Sequence, residues 1–448
     1  MRKMMLAFIS AGFLCSIGVA QDVNLDGVID SADLFALSST WHIFLKQGST
    51  LDLMEDWQTE VTYQPARETV VLELTPEGNE PQICLDGRGV ANVVHVKRIP
   101  QLAPDNSTVM TPQLVCSSIL ASGDYWQREH VLTERKPNIY LWGSYYAPLL
   151  ADIVLAAPRD RAGDFYAVWP HYSAGFSMVR FNRYALPQTK EYQTSTAGLG
   201  SIKRVDAAVD DDGNIHIAWT TPLVLNATIE IRYSKFTPAG KMLVAPPLSL
   251  GTRLTSSGFS ELFAPVIRML GGKNPLVLID QGESAPTLAV RVDGTNGTIL
   301  ETKVLPQNFV EPDFVEMPNG DIALVGMIFV LNKGRDIFYT VLKPDLTTRI
   351  APVNLSNTTQ QSDGASIAVV EDDFYVAWNE NKDNYMRLVR LNANGSRQGN
   401  VITLSGPGQG FPFPLRLASD ALGMAHIVYA DGKGSSPAKV SYEKRKIR

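Results

Sequence analysis

From about residue 80 to its end the chain repeats one short unit, and repetition at a fixed period constrains a fold more than any single motif. Each unit has an apolar strand led by Pro or Asp and a turn of Gly, Asp and Asn. A second strand ending in a bulky residue, a loop and a third strand follow. The second strands align as Gly89–His95, Gly163–Trp169, Gly213–Trp219, Lys273–Ile279, Gly320–Gly326, Asp372–Trp378 and Gly423–Tyr429. Their last residues are spaced by 74, 50, 60, 47, 52 and 51 positions. The first gap is long, and an extra loop around Pro100–Pro112 is expected to fill it.

Units of roughly 40–50 residues with about four strands each are too small to bury both sheet faces alone. Packed radially they make a β-propeller, and the alignment counts seven blades. A misread first unit would make that six or eight. A pair of β-sandwiches is the structural alternative, but it does not account for seven equivalent turns. Third strands are predicted at Met178–Tyr184, Ile229–Phe236, Leu288–Val292, Phe338–Leu342, Met386–Leu391 and Lys439–Lys444. The last unit runs out after its third strand. Thr69–Leu74 precedes the first unit and has no blade of its own. It is therefore predicted to form the outer strand of the last blade, which removes an open edge. The propeller is expected over residues 66–448, with no long helix after residue 60.

Charge is distributed unevenly. The net charge is −6. Residues 21–60 hold eight acids and one base (−7), whereas the chain after residue 60 holds 37 bases and 38 acids (−1). The repeat region thus carries no basic field for nucleic acid or anionic lipid. Residues 1–20 read as a signal peptide: Arg2 and Lys3, an apolar run from Met4 to Val19, and small residues before Gln21. The run is short for a bilayer core of about 30 Å, so no membrane span is expected. Export would leave Cys84 and Cys116 in an oxidising compartment. A bridge and two buried thiols both remain open.

The acidic segment 21–58 reads as a calcium module. Oxygen-bearing side chains fall at Asp22, Asn24, Asp26, Asp30 and Asp33, with Gly27 at the sharp turn and Val28 placed to offer its carbonyl. Four carboxylates and an amide in this register suit a hard cation that takes six to eight oxygens. Leu34, Leu37 and Trp41 then repeat at helical spacing. The pattern over residues 22–57 resembles a dockerin type I repeat. That resemblance implies Ca2+ as cofactor, an EF-hand-like helical module and a cohesin-like partner. Leu53 and Trp57 echo Leu37 and Trp41, but His42–Gly48 lacks the carboxylates of a second loop.

In a propeller, the loops between strands two and three and those between blades share one face. That placement selects, after the second strands, Lys97, Arg98, His171, Tyr172, Thr220, Thr221, Asp280 to Glu283, Asn379, Glu380 and Asp431, and, where the next blade begins, Tyr145, Tyr146, Lys203, Arg204, Glu261, Glu311 and Asp363, with Phe411 and Phe413 in the last entry loop. Glu283 with Glu380, or Asp280 with Glu380, could serve as acid and base on a glycosidic bond. His171 beside Tyr172 suits proton abstraction. Arg98, Tyr172, Arg204, Asp280 and Asn379 are the ligand-binding candidates. The alternative for each is a solvated loop residue. Trp169, Trp219 and Trp378 are expected to pack between blades. No Gly-x-Ser-x-Gly elbow, P-loop or His-Glu-x-x-His occurs. Three functions remain open for an exported, bacterial-type, monomeric protein. They are recognition of a glycan or extracellular protein, action on a polysaccharide, and a protein-interaction scaffold.

Overall fold

The computed structural model describes the chain from Thr69 to Lys446, except residues 87–88, 103–107, 121, 133–152, 159–163, 172–174, 182–191, 194–201, 203, 224–227, 255–264, 283–284, 332, 359–360, 381–384, 405–414, 421 and 432–437. The described residues belong to the second of two units, Ala66–Arg448. The leader, the calcium loop and its helices fall outside them.

The unit is a seven-bladed β-propeller. Blade 1 uses the second half of β1 (Thr69–Leu85), then β2 (Ala91–Leu102), β3 (Thr108–Ile119) and β4 (Tyr125–Val131). Blade 2 is β5 (Val154–Ala156), β6 (Phe165–His171), β7 (Gly175–Phe181) and β8 (Tyr192–Gln193). Blade 3 is β9 (Val205–Val209), β10 (Ile215–Leu223), β11 (Thr228–Phe236) and β12 (Leu248–Leu254). Blade 4 is β13 (Val266–Leu270), β14 (Asn274–Ile279), β15 (Leu288–Val292) and β16 (Ile299–Val304). Blade 5 is β17 (Val310–Glu316), β18 (Ile322–Val330), β19 (Gly334–Leu342) and β20 (Thr348–Asn354). Blade 6 is β21 (Ser362–Val370), β22 (Asp373–Glu380), β23 (Tyr385–Leu391) and β24 (Arg397–Thr403). Blade 7 is β25 (Leu415–Ser419), β26 (Ala425–Asp431) and β27 (Ala438–Arg445), completed by the first half of β1.

The closure is the predicted one, with an addition. Val70 pairs with Lys444 and Leu72 with Tyr442, so the N-terminal ribbon is the outer strand of blade 7. The same strand then continues to Leu85 and pairs with β2 as the inner strand of blade 1, Cys84 opposite Asn92. One 17-residue strand therefore ties the first and last blades together.

Seven apolar clusters hold the ring, one at each junction between consecutive blades. Phe176 of blade 2 packs on Trp219 of blade 3. Tyr339 of blade 5 meets Phe374 and Trp378 of blade 6. Val428 and Tyr442 of blade 7 meet Val93 and Ile119 of blade 1. Trp169, Trp219 and Trp378 are all buried at these junctions. A second strand presents alternate residues to the blades on either side, so its near-continuous apolar run follows from burial on both faces.

Turns between first and second strands share an Asp-x-x-Gly spacing, as at Asp86–Gly89, Asp210–Gly213 and Asp420–Gly423. In blade 3 the Asp210 carboxylate accepts from the Asn214 backbone at 2.7 Å, and Gly213 takes a φ of 79°, which a side chain would oppose. Below this turn lies a buried polar group. The His216 Nε2–H donates to Asp210 at 3.1 Å, and Nδ1 accepts from the Tyr233 hydroxyl at 2.8 Å. The Lys235 ammonium lies 2.8 Å from the same carboxylate. Blade 7 repeats it: His426 meets Asp420 at 3.0 Å and Tyr442 at 2.8 Å. Because a carboxylate only accepts, Nε2 must carry the proton and the tyrosine must donate to Nδ1.

Two expectations need correction. Much of the segment around Pro100–Pro112 is strand. β2 and β3 continue as a paired ribbon to Leu102 opposite Thr108, so extra hairpin supplies part of the long first gap, and the connection from Val131 of β4 to Val154 of β5 supplies more of it. The third strand of blade 2 starts earlier than predicted, at Gly175. Cys84 and Cys116 are buried and form no disulfide. They lie on β1 and β3, either side of β2, so two interstrand spacings of about 4.8 Å separate them. That exceeds the reach of a disulfide, about 7 Å between Cα atoms. No helix among the described residues is long and apolar enough to cross a membrane.

Candidate functional site: the loop-bearing mouth of the ring

The inner strands form sheet edges around the axis, and an edge presents unpaired backbone groups. A belt of polar side chains answers them. Asp206 of β9 accepts from the Ile267 backbone of the next blade at 2.9 Å. Asp313 of β17 accepts from the Ile367 backbone at 3.2 Å and from Ser366 at 2.9 Å. Arg268 of β13 spans blades 3 and 5, donating to Asp206 at 2.7 Å and to Asp313 at 2.9 Å. Arg416 of β25 donates to Gln82 of β1 at 3.2 Å. Each carboxylate or amide is thus committed to a neighbouring inner strand, and the belt locks the ring. None of these belt residues lies in the loops that strand order selects. A charged residue inside a short apolar strand, as in Val266–Leu270, was the available signal.

Above the belt, toward the loops between strands two and three, lies a second tier with a different character. Asp280 follows β14 and is 4% exposed. Its carboxylate accepts from the Gly282 backbone at 2.6 Å and from the Glu311 backbone at 3.1 Å. Glu311 is the second residue of β17 and takes a φ of 49°, the left-handed region for a residue with a side chain. Such a conformation costs about 1 kcal/mol. A bulge between Val310 and Asp313 imposes it, and bulges re-aim side chains beside functional sites. Blade 6 has the same one-residue irregularity between Asp363 and Ser366, and blade 1 between Asn79 and Gln82. Asp363, the second residue of β21, is buried.

The electrostatics of this tier are frustrated. Burial pushes the Glu311 carboxyl up, and the like charges of Asp363 and Asp280 add to it. Arg416 and Arg335 oppose them, and the result is about 7. Near neutrality the Glu311 carboxyl is therefore about half protonated, with the Asp280 and Asp363 carboxyl groups beside it. This is the arrangement in which one acid can donate while another stays ionised. Among the described residues no cluster of three or more His, Cys, Asp or Glu could hold a metal ion.

The sequence-selected residues fall as follows. Asp280 lies in the acidic tier, with Glu311 and Asp363. Glu380 is buried at the end of β22, and Arg387 donates to it at 2.7 Å; the same guanidinium stands 5.4 Å over the Tyr385 ring. Asn379 pairs across from Asp363, and its amide nitrogen would stand 2.9 Å from a Cβ placed on Gly364. Arg204 is half-buried before β9, its backbone exchanging hydrogen bonds with Thr220. Arg98 and His171 end within β2 and β6, but their side chains, like Tyr172 and Glu283 entirely, lie outside the described residues. So do the calcium-loop residues Asp22, Asn24, Asp26, Val28, Asp30 and Asp33.

No protein-family model matches the chain, and no curated protein matches its sequence. Solved structures match its fold. The BP39L lectin from Burkholderia pseudomallei aligns over 85% of this chain and 96% of the lectin, at 10% identity and a TM-score of 0.54. An alpha-L-arabinanase from Penicillium chrysogenum, complexed with arabinobiose, aligns over 64% of this chain and 90% of its own at 12% identity and a TM-score of 0.45. An alpha-L-arabinofuranosidase from Fusarium graminearum aligns over 66% and 92% at 9% identity and 0.46. At these identities the likeness is one of fold.

Proposed function

We propose that this propeller binds a carbohydrate at its loop-bearing mouth. The observation that carries the reading is the tier of Asp280, Glu311 and Asp363 above a fully committed belt, with Arg335 and Arg416 within electrostatic reach. Carboxylates and guanidinium groups on one rim can accept from and donate to sugar hydroxyls, and charge-assisted bonds are the stronger ones. The fold shared with a propeller lectin supports the same reading. A glycan-array screen followed by calorimetry tests it. The expected result is a sugar ligand whose affinity falls at least about tenfold in Asp363→Asn. Binding only to protein ligands would favour the scaffold reading instead.

A second reading is favoured by the raised Glu311 carboxyl, whose backbone N–H donates to Asp280. With Glu311 as acid and the Asp280 carboxyl group as base, the pair could act in cleaving a polysaccharide. Release of reducing ends from a polysaccharide, lost in Glu311→Gln, would select this reading; binding without turnover would reject it.

We further propose that residues 1–20 direct export and that residues 21–58 form a calcium-binding, dockerin-like tether, with Asp22, Asn24, Asp26, Asp30, Asp33 and the Val28 carbonyl as ligands. Calorimetry on the exported chain should show a calcium site that Asp26→Ala abolishes.

A further inference from the structure

We propose that the mouth takes an extended, uncharged glycan, and that the β18–β19 hairpin of blade 5 is its outer subsite, with the Phe329 ring as the platform for a sugar face. The proposal rests on the carbohydrate reading above and extends it along the ligand. Pairing in this hairpin continues through Ile328 opposite Asp336 and Phe329 opposite Arg335 to Val330 opposite Gly334. The hairpin ends on the same face as Asp280, Glu311 and Asp363.

The direction of the Phe329 side chain follows from the pleat. Residues two apart on a strand share a face. Val325 and Met327 belong to the cluster between blades 5 and 6, so Phe329 continues the blade 6 side. Directly opposed residues also share a face, which puts Arg335 beside Phe329. Arg335 is one of the charges that acts on Glu311. The hairpin's turn residue Gly334 approaches Gln361, where a Cβ would stand 3.1 Å from the glutamine side chain. Gln361 precedes Ser362 and Asp363. The finger thus passes beside the residue that precedes β21, and its apolar surface continues outward from the mouth.

That surface is unusually open. Phe329 is 55% exposed and Leu331, at the tip, is 79% exposed. Elsewhere the large aromatics of the second strands are buried. An exposed aromatic beside hydrogen-bonding groups is what a sugar ring requires, since its CH face is apolar and its rim polar. Charge sets the class. The rim places the carboxyl groups of Asp280, Glu311, Asp363 and Glu380 beside the guanidinium groups of Arg335, Arg387 and Arg416. A polyanionic chain gains no net attraction from that balance, whereas a neutral chain loses nothing.

The test uses calorimetry on the full chain with neutral oligosaccharides cut from arabinan, xylan and glucan, each as two-sugar and six-sugar probes, beside a six-sugar galacturonate. A six-sugar neutral probe should bind at least about tenfold more tightly than its two-sugar counterpart. Phe329→Ala should erase that advantage and leave two-sugar binding intact, and Phe329→Trp should restore it. Unchanged six-sugar affinity in Phe329→Ala would overturn the subsite while leaving the mouth. Preference for the galacturonate would overturn the uncharged class. Absence of binding by every probe would overturn the carbohydrate reading and this inference with it.

Discussion

Two ends of one ring bury carboxylates in opposite ways. At the turn end, burial of Asp210 works against its charge, but hydrogen bonds from His216, Lys235 and Asn214 overrule it and hold the carboxyl below its usual range. Asp420 in blade 7 is held down by His426 and the Met424 backbone in the same way. At the loop end, burial of Glu311 is reinforced by Asp363 and Asp280, and the carboxyl rises to about 7. Buried charge with matched donors is a fastening; buried charge crowded with its own sign is a cost that a ligand could offset.

The comparison breaks or sharpens under four variants, in order of expected effect on stability. Asp210→Ala strands a buried lysine and histidine and should cost about 3–5 kcal/mol in denaturant unfolding. A loss below about 1 kcal/mol would mean the turn-end network is not a fastening.

Glu311→Gln should act oppositely. Between pH about 4.5 and 7 the folded protein keeps a proton that the unfolded chain has released, so this group lowers stability as pH rises through that window. The glutamine variant should lack the slope and be more stable above pH 7, by up to about 3 kcal/mol. Asp210, with its lowered value, contributes stability that is present above the ordinary aspartate value and lost at lower pH. Stability curves of the two variants against pH should therefore diverge in opposite directions. Parallel curves would remove the distinction between the two ends.

His95 sharpens the contrast from a third position. It is fully buried between blades 7 and 1, neither ring nitrogen has a hydrogen-bond partner among the described residues, and burial, with Lys97, lowers it to about 3. The unfolded chain takes up a proton as pH falls below about 6.5 and the folded protein does not, so stability drops toward acid. Other blades place Trp219 or Tyr429 at this register. His95→Phe should gain about 1–2 kcal/mol at pH 5, by thermal or denaturant unfolding. The smallest stability effect belongs to Asp363→Asn, expected within about 1 kcal/mol. Its ligand affinity should fall nonetheless, which separates a binding role from a packing one.

Much of the fold was legible because its causes are local. Turns of Gly, Asp and Asn as at Asp211–Asn214, the apolar second strands and the period of their ends are set by hairpin chemistry and double-sided burial. The closing ribbon was legible for a related reason: a last unit one strand short and an unassigned strand at the other end require each other. The extra hairpin of blade 1 was misread because Pro100 and Pro112 are poor ladder residues, yet Pro100 opposite Met110 and Arg98 opposite Pro112 sit within the ribbon.

The face of the ring that carries Asp280, Glu311 and Asp363 was legible from strand order. Their mutual influence was not. Asp280 reaches the Glu311 backbone across 31 positions and two blades, and Arg268 joins Asp206 to Asp313 across three. Sequence alone determined the repeat, the turns and the direction in which each strand runs, because these depend on neighbours along the chain. Only the closed ring decided which charges meet at the axis, because curvature brings second residues of separate inner strands together and excludes the water that would otherwise screen them.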